Sequence, residues 1–176
     1  MYKAKLVINN IEFVGTLTFE VLVNTIRELE KIEKVFTIPS FFKSLGEENM
    51  ESISALIIQS IVILGKHTEN EVTEVYLEKT NSIEKDIENF NNIFSYVNEL
   101  LKKCMPKAKE IKESIFEDEE EFEELTQDWN LAEFEYLWET ILKRNNFYKI
   151  TPKTFFEQLE IHGETQKTSN NNITEL

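Results

Sequence analysis

The sequence predicts a mainly α protein with a small N-terminal β-hairpin, and three observations carry that reading. Residues 3–8 and 11–18 alternate in strand fashion around Asn9-Asn10, and an Asn-rich two-residue connection between β-prone runs is a hairpin signal. Beyond residue 18, apolar residues recur at helical spacing in segment after segment. Helix-start residues stand ahead of those segments at Thr18, Asn49, Thr68, Asn130 and Thr151.

The elements follow in order. A lone hairpin is marginal in water, so something must cover it. Behind Thr18, the residues Phe19, Leu22, Val23, Ile26 and Leu29 share one helical face. In TIPSFFKSLG, Pro39 sits near a helix start and Gly46 after its end. Asn49 opens a helix from Met50 to Leu64. Ile53, Leu56, Ile57, Ile61 and Leu64 lie along it, while Ile58, Val62 and Ile63 occupy another side. A helix apolar on most sides belongs at the centre of a core, and Gly65 ends this one. Thr68 and Glu71 have capping-box spacing ahead of a short helix with Val72, Val75 and Tyr76.

The most regular pattern is Ile83, Ile87, Phe90, Phe94, Val97, Leu101 and Cys104, with steps alternating between four and three residues. This 3.5-residue period is that of a helix seam. Two uses of it stay open: packing on its own domain, or pairing with a partner helix or a second copy. Pro106 interrupts the helix. Residues 106–127 are rich in Lys and Glu and thin in apolar content, as in a solvated helix or linker. Asn130 and Glu133 open a further helix with Leu131, Phe134, Leu137, Trp138, Ile141 and Leu142. Thr151-Pro152 opens the last, with Phe155, Phe156 and Leu159, and Gly163 is expected to close it. The expected organisation is therefore a hairpin plus helical domain at 1–105, an acidic helical linker at 106–127, a small helical C-terminal unit at 128–163 and a disordered polar tail at 164–176.

The net charge is −14, and it is unevenly placed. Between Glu113 and Leu142 there are twelve acidic residues and no Lys or Arg, which leaves about −2 for the rest of the chain. Such a segment disfavours a phosphate backbone, so no nucleic-acid partner is expected. It favours solubility and can steer a basic partner. The run EDEEEFEE lacks the spaced ligands and central Gly of a calcium loop, and a solvated acidic connection is the simpler reading. No uncharged apolar stretch reaches the roughly 18 residues of a membrane-spanning helix, and the opening MYKAKLVINN has no long apolar run. The expected location is the cytoplasm, with no membrane partner.

Residues for chemistry are scarce. Cys104 is the single cysteine, which excludes both an internal disulfide and a zinc site of Cys/His spacing. His67 and His162 each stand beside a glycine at a predicted helix end, where favourable contact with the last carbonyls explains them. No phosphate-binding loop, dinucleotide fingerprint or nucleophile elbow is present. The sequence is read as that of a non-enzymatic binding protein without cofactor or metal. Its expected contact residues are Ile87, Phe90, Phe94, Val97 and Leu101 on the seam. Trp138, Phe155 and Phe156 form a second candidate surface, with core packing as their alternative role.

The order of these segments resembles a known family. KLVINNIEFVGTLTFEVLVNTIRELEK is followed by TIPSFFKSLGEENMESISALIIQSIVILG and HTENEVTEVYLEK. Together they are similar to the N-terminal domain of the tail assembly chaperones of long-tailed bacteriophages and gene transfer agents. DWNLAEFEYLWETILKRNNFYKITPKTFFEQLE resembles the C-terminal portion of longer forms. The resemblance covers about residues 3–79 and 128–160. In many such phages a programmed frameshift joins the two portions, whereas here they lie in one chain. The resemblance implies a cytoplasmic chaperone of the bacterial host cell. Its client would be the helical, aggregation-prone tape measure protein, and its C-terminal portion would recruit the major tail protein. Two other functions fit the residues: an acidic decoy for a nucleic-acid-binding host protein, or a self-associating helical protein of a mobile element that forms a homo-oligomer through the seam.

Overall fold

Strand alternation and turn chemistry build the first element. β1 (Ala4–Ile8) pairs antiparallel with β2 (Ile11–Gly15), with Ala4 opposite Gly15 and Ile8 opposite Ile11. Asn9 and Asn10 both hold positive φ, 51° and 64°, as a two-residue type I′ turn requires, and Asn tolerates that conformation better than most side chains. Ala4, Leu6, Ile8 and Phe13 point into the core. The computed structural model describes residues 2–32, 36–78, 80–106 and 128–171, with side chains through residue 165. The expected acidic linker lies, apart from Pro106, outside the described residues.

The helices follow as expected through α5: α1 (Phe19–Glu30), α2 (Ile38–Gly46), α3 (Met50–Val62), α4 (Glu69–Leu77) and α5 (Ile83–Cys104). Their starts are held by the anticipated side chains. Thr18 Oγ1 accepts from the Val21 N–H, Asn49 Oδ1 from Ser52 and Thr68 Oγ1 from Glu71. Each such cap is worth about 1 kcal/mol. At α2, Thr37 and Ser40 form a reciprocal box that the sequence reading did not name. α3 ends at Val62, and Gly65 turns the chain with φ 68°.

α5 is the cover that the hairpin needs. It lies along β1, and its polar side chains occupy the strand's outer edge: Asn92 Nδ2 donates to the Val7 carbonyl and Lys103 Nζ to the Lys3 carbonyl. Asn89 and Asn9 exchange two hydrogen bonds at the hairpin tip, at 2.7 and 3.2 Å. An edge satisfied in this way no longer offers a template for another strand. On the core side, the Tyr96 and Ser60 hydroxyls sit 2.7 Å apart, and the Thr16 N–H donates to the Ser60 carbonyl. This close approach of β2, α3 and α5 requires Gly15, because a Cβ there would fall 1.9 Å from Tyr96 Oη.

The C-terminal segment consists of α6 (Leu131–Tyr136), a π-helical turn (Leu137–Ile141), a 3₁₀ turn (Phe147–Lys149) and α7 (Pro152–Asn171). Asn130 and Thr151 cap α6 and α7 as the sequence indicates. This segment shares one apolar core with the hairpin and α1 to α5. Phe19, at the start of α1, is its anchor: the ring stacks on Phe147 at 4.4 Å and meets Phe155 edge-on at 5.8 Å. The same segment also completes two helix starts. The Phe19 N–H donates to the Ile150 carbonyl, and the Ile38 N–H donates to the Asp128 carboxylate. These are donors that the first turn of a helix cannot pair internally.

One boundary is corrected. Gly163 does not close the last helix, and the tail is not disordered from residue 164, because α7 continues to Asn171. A glycine inside an exposed helix costs only about 1 kcal/mol relative to Ala, too little to stop a helix whose neighbours accept the conformation. Residues 172–176 lie outside the described residues.

Candidate protein-binding surfaces

The buried face of α5 is not the heptad seam. The residues that α5 buries are Ile93, Tyr96, Val97, Leu100 and Cys104. At about 100° per residue, this face is rotated by roughly 100° from the line through Ile83, Ile87, Phe90 and Phe94. The two faces overlap at Val97 and Cys104, so the C-terminal half of the helix carries a broad apolar arc. In the N-terminal half the core-facing positions turn polar, with Asn89 reaching Asn9, and the seam stands clear of the core. Ile83 is 80% exposed, Ile87 56% and Phe90 49%. Phe94 and Leu101 are half-buried, and the Phe90 and Phe94 rings lie 4.7 Å apart.

Of the five expected seam contacts, Ile87 and Phe90 therefore face solvent and Phe94 and Leu101 border it. Val97 is corrected to a core residue, 7% exposed. The reason is its place on both faces at once. The core roles of Ile93, Tyr96 and Leu100 were missed, although with Val97 and Cys104 they repeat at ordinary helical spacing. That spacing overlapped the more regular seam and was masked by it. Ile83, the most exposed residue of the seam, was likewise left out of the expected contacts.

The second expected surface is corrected more strongly. Trp138 and Phe155 are buried against the aromatic cluster around Phe19. The Trp138 indole N–H donates to the Asn145 carbonyl at 3.0 Å, which satisfies its polar atom inside the core. Phe156 is half-buried, edge-on to Trp129 and Phe134. These rings are core, as their alternative reading held, because Phe19 offers them a partner on the N-terminal segment.

A cleft of about 670 Å³ opens between α1 and the C-terminal segment. It mixes Arg27 and Lys149 with Glu20, Glu135 and Glu139, and the Tyr148 hydroxyl donates to Glu135 at 3.3 Å. Partial burial first, and the Glu135 charge second, push the Tyr148 phenol above its ordinary pKa. Among the described residues, no three His, Cys, Asp or Glu side chains gather where they could hold a metal ion. His67 packs edge-on to Phe13, with ring centres 5.0 Å apart. Burial pushes the Cys104 thiol up, which keeps it protonated and shielded rather than nucleophilic. No described helix is long and apolar enough to cross a membrane. Comparisons with protein-family models, curated proteins and solved structures returned no match.

Proposed function

We propose that this chain is a non-enzymatic chaperone of phage tail assembly that holds a helical client, the tape measure protein, against the N-terminal half of α5. The observation that supports this is the exposed seam of Ile83, Ile87 and Phe90, which extends outward from a helix whose other face is already committed to the core. Fully burying one such side chain is worth about 1.5–3 kcal/mol. Each is already partly covered, so the three together offer roughly 3–5 kcal/mol to a partner. Association alone costs about 4–15 kcal/mol. The seam therefore holds a client only together with further contacts, and holds it reversibly. Reversible binding suits a chaperone that must leave before the tail is complete. Recruitment of the major tail protein, implied by the same resemblance, belongs to this reading as well.

The test is co-expression with a tape measure protein, the long, helix-rich client proposed here. Wild type is expected to keep that protein soluble, and Ile87→Asp plus Phe90→Asp to lose the effect while melting as the wild type does. No change in client solubility with the wild-type chain would end the chaperone reading. A dimer in sedimentation that the double substitution dissociates would assign the seam to self-association instead.

A further inference from the structure

A groove of about 370 Å³ runs between the C-terminal end of α1, α3 and the start of α4. Its floor is apolar, with Ile32, Met50, Ala55 and Ile58, and Glu51 and Glu69 stand on its rim. Ile32 is 65% exposed and Met50 41%, so the floor meets solvent directly. Among the described residues, no Lys or Arg lines it. The third rim carboxylate, Glu28, is held by Lys31. Glu51 and Glu69 are in no ion pair among the described residues.

We infer that this groove is a docking site for an amphipathic helix of another protein, one whose apolar face is flanked by Lys or Arg. Charge selects the occupant. A second copy of this chain laid groove to groove would bring Glu51 and Glu69 against their own likes, and in the chain's own 107–127 segment nine acids outnumber three Lys. The backbone selects the conformation. The walls are helices rather than strands, so an extended peptide would find no strand edge to join, whereas a helix arrives with its own backbone satisfied. The groove shares no residue with the α5 seam, and this inference does not rest on the reading of that seam.

A synthetic helix of about 18 residues is long enough to be helical in isolation. One version carries Leu at i, i+3, i+4 and i+7 with Lys flanks, and its twin carries Glu flanks. Fluorescence anisotropy with the full chain is expected to show binding of the Lys version only. Ile32→Asp plus Met50→Asp adds two negative charges, which would strengthen any unspecific attraction to a cationic peptide. Loss of the apolar floor is nevertheless expected to weaken binding by about tenfold or more. Glu51→Gln plus Glu69→Gln, with the floor intact, is expected to weaken it by about three- to tenfold, as exposed ion pairs do. Thermal melting checks that each variant is folded. Met50 is the first residue of α3, where an Asp is favoured by the helix dipole. Equal binding of both peptides, or binding that survives loss of the floor, overturns the assignment. So does binding that is lost with Ile87→Asp plus Phe90→Asp but not with the groove variants.

Discussion

Gly15 shows how a single missing Cβ sets the packing of three elements. The Tyr96 hydroxyl occupies the space that a side chain at 15 would need, and Ser60 closes it from α3. Gly15→Ala is expected to destabilise the protein by about 1–3 kcal/mol, the usual cost of overpacking. Tyr96→Phe removes the clashing oxygen and leaves Ser60 Oγ donating to the Ile57 carbonyl. The double variant should then recover part of the loss, and a double-mutant cycle in thermal unfolding would measure that coupling. If the two losses simply add, the close approach is not what makes Gly15 necessary. Glu71 makes a pH-dependent contribution of the same local kind. Its carboxylate accepts from the Thr68 N–H at 2.7 Å, and that bond is the main reason its pKa lies below the ordinary carboxylate value. A depressed folded pKa means stabilisation that is present above the unfolded value and lost as pH falls through the folded one. The protection of the α4 amides relative to their intrinsic exchange rate should therefore fall on acidification through that range, and Glu71→Gln should flatten the response. The caps were legible in the sequence because each capping side chain and the residue whose N–H it accepts from stand three residues apart. The role of Gly15 was not, because Tyr96 and Ser60 are far from it in the chain.

At the scale of elements, the hairpin and α5 depend on each other. The hairpin buries one face and yields its outer edge to Asn92 and Lys103 of α5, and α5 in turn finds on it a platform for Tyr96, Leu100 and Cys104. Val97→Asp is expected to cost several kcal/mol, because it places a charge in that core without a partner, whereas Phe90→Asp seven residues earlier should leave the melting temperature within about 2 °C of wild type, as surface changes do. Equal melting losses at both positions would contradict the division of the helix into a core half and a free half. The position and start of each helix were readable from periodicity and caps. Which side of α5 is buried was not, because the regular seam and the core face are both apolar and only the neighbouring elements decide between them. The π-helical turn at Leu137–Ile141 likewise has no marker in the apolar spacing, which reads as one continuous helix.

In the whole molecule, the C-terminal segment is tied to the N-terminal one at a few points, and Phe19 is the centre of them. Phe19→Ala is expected to cost about 3–5 kcal/mol and to loosen residues 128–160 before the hairpin, since it removes the ring on which Phe147 and Phe155 rest. Limited proteolysis would locate the first cut; a first cut within the hairpin would contradict this order. Charge separates the two apolar segments along the chain, and sequence distance conceals that Phe19 faces the aromatic rings of the second. With Trp138 and Phe155 inside the core, the exposed seam of α5 remains as the client surface of the proposed function. The most direct test is hydrogen–deuterium exchange of the full chain, alone and mixed with a tape measure protein, the client proposed above. The account predicts new protection over residues 83–94 on mixing. A complex that forms while exchange over 83–94 stays unchanged would contradict it.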